Sequence, residues 1–194
     1  TRRTLIALSI IRNEIEQLDV EDSIRETLLL CFAAILEHVS KMQRPNKKGW
    51  DAKNYIIRPV FLEQNVYPVF ETRFERVIAG KKEVEKEIAS FYKESVDPLN
   101  VIEAKANVSF LDADARELSL PEEKVDYVFT DPEYGDSIQY YELSYMASKW
   151  LKLETDWNKE IVVNPKQGKT PDMYRDALVE AFKRVFQVLK TGKY

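Results

Sequence analysis

Four consecutive residues, Asp131-Pro132-Glu133-Tyr134, combine acids, a proline and an aromatic ring directly after an apolar run at 127–130. The Asp131 carboxylate can accept one N–H, and the carbonyl of Pro132, the only hydrogen-bonding group of a proline backbone, can accept another. The ring of Tyr134 can cover the face of a planar group. Two acceptors that hydrogen-bond both N–H groups of a planar amine pull its nitrogen away from flat, conjugated geometry. The nitrogen lone pair then becomes available for attack on an electrophilic methyl group. A plain Asp-Pro turn that closes a strand is the alternative interpretation.

The chain before residue 100 has the sequence pattern of helices. Apolar residues recur at spacings of three and four, which predicts amphipathic helices, and the first such stripe is Leu5, Leu8, Ile11, Ile15 and Leu18. The lone cysteine, Cys31, and the lone histidine, His38, fall on or beside an apolar helix face, where packing is their expected role. We therefore expect residues 1–100 to form a helical region.

The chain after residue 100 has the pattern of strands that alternate with helices. Short apolar runs at 108–111 and 125–130 predict strands, and residues 171–189, which begin with a proline, predict a closing helix. Such alternation predicts an α/β fold with a parallel sheet. Ligands of these sheets gather at the carboxyl ends of the strands, where Asp114 and Asp131 both fall.

Residues 41–58 form a basic segment, with six cations against one acid and two aromatic residues among them. This mixture suits a nucleic-acid contact, because phosphates take the positive charge and bases stack on aromatic rings. A solvated surface loop with Trp50 packed in the core is the alternative. The candidate nucleic-acid contacts are Lys41, Arg44, Lys47, Lys48, Trp50 and Lys53.

Composition excludes several classes of protein. A single cysteine excludes a disulfide framework and a multi-cysteine zinc site within the chain, so we predict no metal and a reducing compartment, the cytoplasm. The five glycines stand far apart, so the chain has neither a G-x-G-x-x-G motif nor a P-loop. No apolar run is long enough to span a bilayer, and we expect no membrane partner. The net charge of −4 argues against wholesale coating of nucleic acid.

Residues 125–140, which contain the tetrad, resemble the catalytic-motif region of amino-group DNA methyltransferases, whose signature is Asp-Pro-Pro-Tyr. Residues 112–118 resemble the adenosine-contacting motif of the same family, and the similarity extends in weaker form to most of the chain. The resemblance implies that residues 101–194 form a partial Rossmann-like methyltransferase sheet. It also implies S-adenosylmethionine as cofactor, DNA as partner, and adenine N6 as the methylated atom, with cytosine N4 as the alternative.

The resemblance assigns two sets of residues. Asp131, Pro132 and Tyr134 match the catalytic positions, where the target amine is held after the base has left the duplex. Asp114 and Ala115, together with Asp131, match the positions that contact the cofactor.

Two departures from the family pattern stand out. Glu133 replaces the second proline of the signature, which loosens the backbone that presents Pro132 and adds negative charge near the amine. The glycine-rich cofactor motif is absent and would lie upstream of Thr1, so we expect an internal piece of a methyltransferase, inactive alone, with the remainder as its partner. The alternatives are an RNA or protein-glutamine amino-methyltransferase, and a non-catalytic nucleic-acid-binding fragment or subunit.

Overall fold

A computed structural model describes residues 1–43, 57 and 59–193. The α-helices of these residues are α1 (Arg2–Gln17), α2 (Asp22–Ala33), α3 (Val66–Ile88), α4 (Leu99–Ile102), α5 (Tyr140–Leu151) and α6 (Pro171–Val188). Short 3₁₀ turns occupy Ala115–Glu117, Trp157–Lys159 and Pro165–Gln167. None of the helices in the described residues is both long enough and apolar enough to cross a membrane.

The chain divides into two compact units. The first unit contains Thr1–Glu87 and Tyr140–Thr155, and the second contains Ile88–Gln139 and the chain from Asp156 onward. The division at residue 100 drawn from the sequence separates two patterns of residues, and stays a prediction.

The prediction of an α/β fold with a Rossmann-like sheet is wrong, because the described residues form helices and only isolated backbone bridges. Val125 bridges to Leu189, and Val108 bridges to Glu94, both in parallel. Each apolar run therefore pairs briefly with a different neighbour, and the two runs do not pair with each other. A sheet needs a ladder of such pairs on a shared buried face.

The side chains of the two apolar runs show why no ladder forms within the described residues. Phe110 is 71% exposed and Phe129 is 84% exposed, so neither run gains the burial that favours a strand. Asp114 and Asp131 consequently follow segments without regular secondary structure and do not stand at the ends of paired strands.

The first unit is built around a helical core. The shared core residues come from α1, from α2 and the turns after it, and from the start of α3: Leu8, Ile11, Ile15, Phe32, Ile35, Leu36, Val39 and Val66. Trp150 of α5 packs edge-on against Phe32, with the ring centroids 5.6 Å apart. Arg12 is buried beside them, where its guanidinium donates to the carbonyl of Trp150 and pairs with Glu16 at 2.9 Å. Cys31 is fully buried, as its helical position predicts.

The end of α1 is completed by an arginine from α2. The last carbonyls of a helix have no partner within the helix, and Arg25 supplies donors to four carbonyls at this end. Its Nη1 lies 2.7 Å from the carbonyl oxygen of Ile15 and 2.9 Å from that of Glu16, and its Nη2 lies 2.8 Å from that of Leu18. A longer contact of 3.4 Å reaches Val20. The connection between the two helices is thereby fixed by one side chain.

The second unit is organised by α6. Thr170 caps its first turn and Pro171 begins it, in agreement with the closing helix that the sequence predicts. Arg184 on this helix donates to the carbonyl of Leu118 at 2.7 and 2.9 Å and to that of Leu120 at 2.5 Å. These bonds fix the chain that follows the 3₁₀ turn Ala115–Glu117 against α6.

Candidate functional site

The tetrad forms an exposed loop in which two of its side chains meet. The hydroxyl of Tyr134 donates to Oδ1 of Asp131 at 2.7 Å, and the Tyr134 side chain is 72% exposed. The carboxylate of Asp131 is also exposed, and no donor within the described residues bonds its Oδ2. The structure thus brings together the acid and the aromatic ring that the sequence selects.

The backbone of the tetrad offers a second acceptor. Pro132 is half-buried, and no donor from the described residues bonds its carbonyl. An acceptor carbonyl with no intramolecular partner can take an N–H from a ligand or from water. The carbonyl of Pro132 and Oδ2 of Asp131 are therefore both able to accept hydrogen bonds from the N–H groups of an amine.

Glu133 holds the turn that presents these groups. Its Oε1 accepts the backbone N–H of Tyr134 at 3.0 Å and that of Ile138 at 3.1 Å. Its carbonyl accepts a hydrogen bond from the hydroxyl of Tyr174 on α6. The carboxylate that replaces the family's second proline is thus bonded to backbone amides of its own turn, which fixes a segment that the sequence predicts to be looser.

Gly135 completes the same turn. It has a φ of +64°, a conformation that residues with a Cβ adopt at a cost, and its carbonyl accepts from the N–H of Val163 at 2.9 Å. Gln139 also bonds Val163, with its amide nitrogen 3.0 Å from the carbonyl oxygen. The loop after the tetrad is therefore anchored to a distant segment of the same unit.

Asp114, predicted to contact the cofactor, is engaged by a neighbour. Its Oδ1 accepts the backbone N–H of Arg116 at 2.9 Å and the Nε–H at 2.8 Å, and its Oδ2 accepts from Nη2 at 2.5 Å. These bonds hold the pKa of Asp114 at about 2, below its ordinary value of 3.8. Ala115 lies between the pair and is exposed. The carboxylate closes a local turn, and Oδ2 keeps its remaining acceptor position.

The structure does not join all the predicted residues. Within the described residues no hydrogen bond links the Asp131–Tyr134 pair to the Asp114–Arg116 pair. Lys41, the only described member of the predicted nucleic-acid set, places its Nζ 5.6 Å from the ring centroid of Phe61. The remaining members of that set lie outside the described residues: Arg44, Lys47, Lys48, Trp50 and Lys53.

Sequence reasoning missed the residues that support the tetrad. The role of Glu133 as an acceptor for its own turn had little local signal, because the side chains that commonly bond nearby backbone groups are the shorter ones of Ser, Thr, Asn and Asp. Arg116, which supports Asp114 and not the tetrad, had a local signal, since it stands two residues from its partner. Tyr174 had none, because its partner lies 41 positions away in sequence.

Comparisons with protein-family models, with curated proteins and with solved structures found no match. Among the described residues no group of three or more histidine, cysteine, aspartate or glutamate side chains could hold a metal ion.

Proposed function

We propose that this chain carries the target-amine site of an S-adenosylmethionine-dependent DNA amino-methyltransferase that acts on adenine N6, with cytosine N4 as the alternative target. The observation that carries the proposal is the tetrad loop. It presents Oδ2 of Asp131 and the carbonyl of Pro132 as two acceptors beside the exposed ring of Tyr134. The likeness of residues 125–140 to the catalytic region of that family adds to it.

Each residue of the tetrad has a distinct task in this proposal. The carboxylate of Asp131 and the carbonyl of Pro132 accept hydrogen bonds from the two N–H groups of the target amine. These bonds draw the nitrogen out of conjugation with the base. Tyr134 stacks on the base after it has left the duplex. Glu133 and Tyr174 keep the loop in shape, so the acceptors are in position before the base arrives. The basic composition of residues 41–58 favours DNA as the partner.

The described residues do not by themselves fit S-adenosylmethionine, the proposed methyl donor. Asp114 is bonded three times by Arg116, and Ala115 lies exposed on a 3₁₀ turn, so this segment forms no cradle for an adenosine. The chain also lacks a glycine-rich phosphate or nucleotide loop. The proposal therefore concerns the amine side of the reaction, and we expect weak binding of the donor by these 194 residues alone.

The test is single-turnover transfer of a labelled methyl group to duplex DNA by the full-length protein that contains these residues and by its Asp131→Ala variant. The Asp131 carboxylate gains interaction energy as the nitrogen becomes positive, because a charge-assisted hydrogen bond is stronger than a neutral one. We expect the variant to transfer methyl groups roughly a hundredfold more slowly, as when an electrostatic contact to the transition state is lost.

Asp136→Ala is the matched control, because Asp136 is an exposed acid on the same turn. It should retain the parental rate. Transfer by Asp131→Ala at the parental rate would show that the tetrad is not catalytic. RNA and a glutamine-containing peptide, offered as acceptors in parallel, distinguish the two other amine substrates. If the full-length protein methylates none of the three acceptors (DNA, RNA or the peptide), the result supports the non-catalytic function.

The second candidate is a non-catalytic nucleic-acid-binding fragment or subunit, and the Asp114–Arg116 pair favours it. A carboxylate committed to its own turn is suited to stabilising the chain rather than to binding a ligand. Duplex DNA binding with no methyl transfer, unaffected by Asp131→Ala, is the expected result for this candidate.

A further inference from the structure

A pocket of about 300 Å³ lies on the first unit, between the start of α3 and the turns that follow α2. Two arginines and the lone histidine of the chain line it, together with Gln64 and Thr72. Arg73 and Arg76 are three residues apart on α3, which places both side chains on one face of the helix. The pocket is therefore basic, although the chain as a whole carries a net charge of −4.

His38 orients one of the arginines. Nη2 of Arg73 lies 3.3 Å from Nε2 of His38, and a guanidinium can only donate, so the ring nitrogen accepts and the imidazole is neutral. Burial and the charges of Arg73 and Arg76 lower the pKa of His38, which keeps it neutral. Gln64 donates to the carbonyl of His38 at 3.0 Å and fixes the backbone at this point.

Neither arginine of the pocket has a counter-ion within the described residues, where no carboxylate oxygen lies within 4.0 Å of Arg73 or Arg76. Glu37, which precedes His38 in the sequence, forms no ion pair there either, and burial raises its pKa. Elsewhere the chain pairs its guanidinium groups closely with acids, as in Arg116 with Asp114 and Arg175 with Asp172. The two cations that line this pocket thus have no neutralising acid among the residues that the structure describes.

We infer that this pocket binds a phosphate group. Two planar guanidinium groups present N–H donors in forks that match the oxygens of a phosphate; a doubly charged phosphate monoester would neutralise both, and a singly charged diester would neutralise one. The volume holds a phosphate with part of the molecule that carries it. The phosphate belongs either to a small molecule or to a nucleic-acid backbone, and this inference does not depend on the proposed methyl transfer.

The experiment measures binding of inorganic phosphate, of a nucleoside monophosphate and of a short DNA duplex by titration calorimetry at constant ionic strength. Arg73→Gln and Arg76→Gln should each weaken binding of the phosphate compound at least tenfold. Lys86→Gln removes an equal charge from the exposed side of α3 and should leave binding within twofold of the parent. Thermal unfolding of each variant confirms that the helical unit is intact; Arg76→Lys, which keeps the charge but loses the fork, serves as a second variant.

The pattern of losses identifies the source of the phosphate. Tighter binding of the monophosphate, with duplex binding equal in parent and arginine variants, indicates a small molecule. Duplex binding that both arginine variants weaken, and that inorganic phosphate competes away, indicates a nucleic-acid backbone. The inference is overturned if none of the three probes binds saturably, or if Lys86→Gln weakens binding as much as Arg76→Gln does.

Discussion

The hydroxyl of Tyr134 and the carboxylate of Asp131 are joined by a hydrogen bond of 2.7 Å across the turn of the tetrad. The proposal gives Tyr134 the task of stacking on the base and Asp131 that of accepting a hydrogen bond from the amine. The two residues are therefore linked before any ligand is present. The bond takes one acceptor position on Oδ1 and leaves Oδ2 to a ligand. It also orients the phenol ring relative to the carboxylate.

This bond separates two substitutions of Tyr134. Tyr134→Phe keeps the ring and loses the bond to Asp131, so capture of an extruded base should change little. Tyr134→Ala loses the stacking surface, which contributes about 1–3 kcal/mol per base, and capture should weaken accordingly. Fluorescence of a 2-aminopurine base at the target site reports its extrusion. Tyr127→Ala, at an exposed aromatic residue outside the tetrad, is the control, and equal capture by Tyr134→Ala and the parent would contradict the stacking role.

Glu133 should contribute to stability through the turn. Glu133→Ala leaves two backbone N–H groups without their acceptor, and we expect the free energy of unfolding to fall by about 1–3 kcal/mol. Glu133→Gln keeps an acceptor oxygen and should be milder. Urea unfolding measures both, with Glu122→Ala at an exposed acid as the control.

Glu133→Pro tests whether the family's usual residue suits this turn. The sequence alone predicts that a second proline would stiffen the loop, whereas the structure predicts a loss of stability, since the same two N–H groups lose their acceptor. A Glu133→Pro variant that unfolds at a higher urea concentration than the parent would show that backbone stiffness outweighs those bonds.

The Asp114–Arg116 pair predicts a dependence of stability on acid. Because the pKa of Asp114 is about 2 in the folded chain and ordinarily 3.8, the pair stabilises the fold fully above about pH 4. That stabilisation, about 2 kcal/mol by the size of the shift, is lost as the pH falls towards 2. Asp114→Asn should remove this part of the acid dependence, while Asp112→Asn should keep it. Chemical unfolding at pH values from 6 to 2 provides the comparison. The prediction is refuted if the free energy of unfolding falls with pH equally in the parent and in Asp114→Asn.

Arg25 should be one of the most sensitive surface positions of the first unit. Arg25→Ala removes the donors to the carbonyls at the end of α1, and we expect a loss of about 2 kcal/mol in the free energy of unfolding. Arg25→Lys keeps the charge, but its ammonium group cannot span several carbonyls. It should therefore recover less than half of the free energy of unfolding that Arg25→Ala loses. Arg2→Ala, at an exposed arginine of α1, should have little effect. Equal stability of Arg25→Ala and Arg2→Ala would contradict the capping role.

The helices were predictable because their signal is local. The three-to-four spacing of apolar residues recurs within each of α1, α2, α3 and α6, and helix formation needs no partner beyond the next turn. The stripe itself was only partly right. Leu8, Ile11 and Ile15 are buried, whereas Leu5 and Leu18 at its ends are exposed.

The sheet was not predictable, because a strand is defined by its neighbour. The run at 127–130 has the composition of a strand, yet Phe129 points into solvent within the described structure, and only Val125 of the preceding residues forms a bridge. The tetrad was visible since its members are contiguous in sequence. The bond between Tyr174 and the carbonyl of Glu133 depends on where α6 lies, which no local pattern encodes.

The discontinuity of the first unit has a consequence for synthesis on the ribosome. Phe32 and Arg12 are made before residues 88–139 of the second unit, but their partner Trp150 is made only after those residues. At roughly 5–20 residues per second, that interval alone lasts several seconds. During this interval the aromatic ring of Phe32 and the guanidinium of Arg12 lack their contacts with Trp150. The nascent helices are therefore most exposed to chaperones and proteases before α5 emerges.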